Sequence, residues 1–151
     1  MGPTNVTVEL WCSTMARDLH TLGRVVPTHA LPKTFYGALN DLHDKWNNHP
    51  YRIRITYTLM AHPDDKRIPL LDIVGISSAF VDIEDIRKSI NAQLAALARQ
   101  YGIAIRFQCG SSVRRRLEKQ FQINMRTVVG RTNHDGSTCW FVYLDPVSWS
   151  V

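Results

Sequence analysis

From Tyr51 to Leu59 the chain alternates without a break: Tyr51, Ile53, Ile55, Tyr57 and Leu59 fall on one side, Arg52, Arg54, Thr56 and Thr58 on the other. Successive side chains of an extended backbone point to opposite faces, so this run is a strand with one buried and one wet side. Such a strand needs partner strands and a layer to cover its apolar face.

The covering layer is visible in the same terms. Ile83, Ile86, Ile90, Leu94, Leu97 and Tyr101 recur at spacings of three and four, Asp82 stands where an N-cap belongs, Glu84 and Lys88 form an i,i+4 pair, and Gly102 ends the helix. A second helix is expected from Thr34 to Asn47, with Phe35, Leu39, Leu42 and Trp46 inward and His49-Pro50 as the stop. A shorter one is expected from Ser112 to Phe121, with Val113, Leu117 and Phe121 inward. Near the N-terminus, Val6 to Cys12 alternates as a strand, Ser13 to Gly23 reads as a short helix, and Val26 to Pro32 as a loop. Leu70 to Ile76 reads as a more buried strand, and Ile103 to Cys109 alternates with Arg106 and Gln108 on its wet side. Ile123 to Arg131 and Thr138 to Leu144 read as strands joined by Asn133-His134-Asp135-Gly136, where Asp-Gly signals a hairpin. An alternative reading makes Val113–Phe121 and Met125–Asn133 a helix-turn-helix, but Thr127-Val128-Val129-Gly130 is a poor helix. The expected fold is α+β: a largely antiparallel or mixed sheet of five to six strands, about four helices and a C-terminal β-hairpin.

A length of 151 residues with 44% hydrophobic content suits a single domain over 1–151 with a real core. No linker, repeat or low-complexity tract divides it. Cys12, Cys109 and Cys139 form no CxxC pair, which favours a reducing compartment. Without a basic segment followed by an apolar core at the N-terminus, and without any apolar run of membrane-spanning length, a cytoplasmic protein with no membrane partner is expected.

The net charge is +5 and the isoelectric point about 9.4, carried by 13 Arg against 5 Lys. Guanidinium groups bind phosphate and carboxylate bidentately and stack on flat rings. Arg114, Arg115 and Arg116 fall at or just after the start of a helix, where the backbone is already positive and an anion is welcome. Ser111, Ser112 and Lys119 accompany them, and Arg52, Arg54, Arg106 and Arg126 are expected on wet strand faces. Of Trp140, Phe141 and Tyr143, at least one ring must reach the open face, and Trp140 is the candidate, with Cys139, Phe141 and Tyr143 assigned inward. Arginine and aromatic rings on an open sheet are a known way to hold single strands. The expected function is therefore a binding or regulatory protein, without metal or cofactor, that engages nucleic acid, single-stranded rather than duplex. An acidic protein partner, as for a phage or viral assembly subunit, is the alternative binding class.

Two short motifs point to catalysis instead. Cys109 and Arg115, separated by five residues between a strand and a helix, resemble the phosphate loop of cysteine-dependent phosphatases, which implies a thiolate nucleophile at Cys109 and an oxygen-holding Arg115. Gln108 stands where that family has His, and Arg116 where it has Ser or Thr. Ala61-His62-Pro63-Asp64-Asp65 resembles the zinc-binding start of LmbE-like deacetylases, which implies His62 and Asp65 as ligands and Asp64 as base; Lys66 replaces the next Glu, and the composition equally suits a turn. GxSxG, GxxxxGK[ST] and GxGxxG motifs are absent from the sequence.

Overall fold

The computed structural model describes residues 31–80, 82–123 and 128–146. The strand and helix expected between Val6 and Gly23, and Arg126, lie outside the described residues. Within them the elements run α1 (Lys33–Asn47), β1 (Ile53–Ala61), β2 (Pro69–Ser78), α2 (Glu84–Gln100), β3 (Ala104–Cys109), α3 (Ser111–Phe121), β4 (Val128–Thr132) and β5 (Thr138–Leu144). The result is an α+β fold with a five-stranded mixed sheet and a C-terminal hairpin. Among the described residues no helix is long and apolar enough to cross a membrane.

The sheet order is β1-β2-β3-β5-β4. β2 and β3 pair in parallel, which requires the crossover through α2; the other three pairings are antiparallel. One face carries Ile53, Ile55, Tyr57 and Leu59 from β1, Leu71, Ile73 and Ile76 from β2, Ile105 and Phe107 from β3, and Val142 from β5. In β2 the apolar positions switch from odd to even numbers because Thr56 pairs with Gly75 while Tyr57 pairs with Ile73, leaving Val74 as the extra residue of a bulge. Without that bulge Ile76 would point away from the core.

All three helices close over this face. Phe35, Leu39 and Trp46 of α1, Ile90, Leu94 and Leu97 of α2, and Leu117 of α3 join one continuous cluster with the strands. His43 is buried beside them in α1, whereas Leu42 is only partly so. At the end of α2 the Ile103 amide donates to Ala98 and the Gly102 amide to Arg99, a Schellman closure that needs the positive φ of Gly102. The helix-turn-helix alternative is overturned: Val128–Thr132 is a strand paired with β5, and its turn is closed by Asn133 donating to Ser137 around Gly136.

Candidate anion-binding groove

The expected basic platform is not what the opposite sheet face forms. Thr58, Asp72, Arg106 and Tyr143 stand side by side across four strands, and Thr58 and Asp72 are buried, so the side of β1 expected to be wet is dry there. Arg106 donates two hydrogen bonds to Asp72, through Nε and Nη2 at 2.9 Å each, and one to the Tyr143 hydroxyl at 3.0 Å. Its guanidinium also reaches Met60 Sδ and lies 4.8 Å from the Phe141 ring centre and 5.6 Å from that of Tyr143. Burial alone would push the Arg106 guanidinium down, but the hydrogen bonds and charge of Asp72 carry it well above its usual range. This arginine ties four strands together, and its charge is already neutralised.

Trp140 is also corrected. Cys109 pairs with Trp140 and Phe107 with Val142, so Trp140 lies on the helix-covered side, and Cys139, Phe141 and Tyr143 take the other. The Trp140 ring rests on Gly130, where an added Cβ would sit 2.7 Å from a ring carbon. Trp140 Nε1 donates to Ser111 Oγ at 3.1 Å, and the Arg114 guanidinium stacks 4.4 Å from its ring centre. The ring therefore clamps the start of α3 to β5 and β4.

Consecutive residues on a helix are about 100° apart, and this separates the three arginines. Arg114 turns toward the sheet and pairs with Glu118 at 3.0 Å, while Arg116 pairs with Glu84 of α2. Arg115 points outward and makes no ion pair among the described residues. The α3 N-terminus is capped by Gly110 without a side-chain hydrogen bond; Ser111 is engaged by Trp140, and Ser112 is exposed. Arg52 precedes β1 with a positive φ of 51°, and Arg54 is exposed on β1.

Where the cations do converge is between α2 and α3. Arg87, Lys88, Arg116 and Lys119 line a groove of about 540 Å³ with Glu84, Asp85, Asn91, Val113 and Gln120. Residues 84, 87, 88 and 91 follow one face of α2, and 113, 116 and 120 one face of α3. Gln120 Nε2 donates to the Lys88 carbonyl at 2.8 Å and fixes the two helices. Glu84, expected to pair with Lys88, instead pairs with Arg116 and lies 3.8 Å from Arg87. Four cations thus face two carboxylates, a surplus of two positive charges. Arg87 Nε is buried without a hydrogen bond and faces Glu84 Oε1 at 3.8 Å, and Asn91 beside it is 4% exposed.

The catalytic motifs do not assemble. A phosphate cradle needs a loop between its cysteine and arginine, but α3 begins at Ser111, so Arg115 sits in its second turn facing solvent. Burial, then the neighbouring Cys139, pushes the Cys109 thiol up to about 11, against the smaller pull of Arg114 and Arg87. A raised value keeps Cys109 protonated until strongly alkaline pH. In native protein at pH 8, Cys109 is expected to alkylate with iodoacetamide far more slowly than an ordinary thiol and to accelerate toward pH 11. Peptide-resolved mass spectrometry measures this, and rapid labelling at pH 7 would contradict it.

At the other motif, His62 Nδ1 accepts the Asp64 amide at 3.0 Å, leaving Nε2 to donate to Asp145 at 3.0 Å. Hydrogen bonds from Arg67 hold Asp65 down to about 2. His62 to Asp65 is thus a turn whose polar groups serve its own backbone, Arg67 and Asp145 just past β5, and no cluster able to hold a metal occurs among the described residues. The chain matches no protein-family model and no curated protein.

Proposed function

We propose that this chain is a binding protein for nucleic acid, single-stranded rather than duplex, whose phosphates lie in the groove between α2 and α3. The observation that supports the reading is the convergence of Arg87, Lys88, Arg116 and Lys119 on one groove that holds only two carboxylates, Glu84 and Asp85. A groove of about 540 Å³ between two helices has room for the phosphates of one strand. Lys88 and Lys119 make no ion pair among the described residues, and Arg115 stands on the adjoining face of α3. The free thiols of Cys109 and Cys139 agree with action in a reducing, cytoplasmic setting.

The test is a salt titration of binding to labelled single-stranded and duplex oligonucleotides. Each phosphate contact on a single strand contributes a slope of about −0.7 in log K against log salt. Lys88→Gln combined with Lys119→Gln is expected to flatten the slope by about 1.4 and to leave the fold unchanged, since both side chains are exposed. An unaltered slope in the folded double variant would remove the groove as the site. Binding to an acidic protein with no oligonucleotide binding would replace nucleic acid as the partner.

A further inference from the structure

At the end of the sheet where β1 begins and β2 finishes, two large aromatic side chains stand in solvent: Tyr51 is 41% exposed and Phe80 68%. One hydroxyl holds both backbones. Ser78 Oγ donates to the Tyr51 carbonyl at 2.6 Å and accepts the Phe80 amide at 3.2 Å. The Tyr51 ring is braced from behind. His49 meets it edge-on with ring centres 5.0 Å apart, and Trp46, itself buried, backs His49 at 5.6 Å. Trp46 Nε1 is tied to Gln93 of α2 at 3.0 Å.

The Tyr51 ring is thus held by its neighbours and Phe80 by its backbone amide, and both rings face solvent. The same corner carries a second anomaly. Arg52, exposed and next to Tyr51, has a φ of 51°, a left-handed conformation that glycine adopts without strain and arginine does not. The Arg52 amide closes the turn onto the His49 carbonyl at 2.8 Å, which sets the Arg52 side chain beside the two rings. Phe80 is four residues from Glu84, which lines the cationic groove, so at most about 14 Å of extended chain separates them.

We infer that Tyr51 and Phe80, with Arg52 beside them, form a base-stacking platform continuous with the groove, so that a strand whose phosphates lie between α2 and α3 lays unpaired bases on these rings. The inference rests on the groove reading and extends it. The phosphates are held by charge, the bases by stacking, and a duplex with its bases already stacked has none to offer.

The experiment compares a single-stranded oligonucleotide with an abasic strand of the same length, which keeps the phosphates and lacks the rings. Stacking of one base on an aromatic corresponds to roughly 5- to 150-fold in affinity. The parent protein is expected to prefer the base-bearing strand by a factor in that range at high salt. Phe80→Ala and Tyr51→Ala should each reduce this preference and leave abasic binding unchanged. Phe80→Trp should restore it and add a fluorescence signal that the oligonucleotide quenches. Arg52→Gly should weaken binding while the thermal midpoint stays at or above that of the parent, an outcome that a purely structural Arg52 would not produce. Equal affinity for the two strands, or full retention of the preference in Phe80→Ala, overturns the platform and leaves the groove standing. Abasic binding that ignores Lys88→Gln and Lys119→Gln overturns the groove instead. Self-association lost in Phe80→Ala, with no change in oligonucleotide affinity, assigns the rings to a second copy of the chain and ends the proposal.

Discussion

Asp72→Ala is expected to lower the free energy of unfolding by about 3–5 kcal/mol, the largest single loss anticipated in this fold. The carboxylate side chain is 5% exposed and its partner guanidinium 12%, so removing the acid strands a charge in the sheet with no anion beside it, only the Tyr143 hydroxyl, a thioether and the faces of Phe141 and Tyr143. Gln108 Nε2, which donates to the same carboxylate at 2.9 Å, loses its acceptor too. Because most of the cost is the orphaned charge, the double variant Asp72→Leu/Arg106→Met should be far closer to the parent than Asp72→Ala alone. Urea unfolding of the three proteins measures this. A single-variant loss under about 1 kcal/mol would mean that the pair is solvated and ties nothing together.

Trp140→Ala should cost about 2–3 kcal/mol, less than a fully buried tryptophan because the residue is only partly buried. It removes the roof over Gly130, the hydrogen bond to Ser111 and the surface on which Arg114 stacks. Gly130→Ala should also destabilise, by about 1–3 kcal/mol, since its Cβ would enter the ring. In Trp140→Ala that collision has no second party, so the two losses must fall short of additive. Additive losses would show that the ring does not rest on Gly130. Salt-resistant oligonucleotide binding should survive Trp140→Ala, because the ring faces the helix layer rather than a ligand.

Why Trp140 reads differently in sequence and in space is a matter of parity. In β5 both alternating sets are apolar, Cys139, Phe141 and Tyr143 against Trp140, Val142 and Leu144. Hydropathy has no preference between them, and only the register that sets Val142 opposite Phe107 decides. The run from Ile53 to Leu59 had one apolar set, and its buried side was legible for that reason, whereas Tyr51, assigned to the same side, precedes β1 and is exposed. The same holds for α2, whose stripe and terminal Gly102 correspond to what the periodicity implies. Asp72 was hidden otherwise. A lone acid inside Leu70 to Ile76 signals a buried partner, but that the partner is Arg106 depends on a parallel pairing across the whole of α2.

The groove was illegible because its halves lie on different helices. Arg87 and Lys88 read alone as a solvated helix face, and Arg114 to Arg116 read alone as one cluster, although helical rotation sends only Arg116 of the three into the groove. For Phe80 a signal was present. A large aromatic in a Ser-Ser-Ala-Phe connection, outside every apolar period, has no core to enter.

The position of β3 has a consequence for the chain while it is being made. β1 and β2 are neighbours in sequence, as are β4 and β5, whereas β3 takes both of its partners across intervening helices. A ribosome releases β1, β2, α2 and β3 in that order, and this much can pair as a three-stranded half-sheet. Its β3 edge, with Ile105 and Phe107 along it, then stays bare until the seven residues of β5 arrive. An unpaired apolar edge is an invitation to another chain. During synthesis, the danger of mispairing is therefore concentrated in the interval between the emergence of Cys109 and that of Leu144.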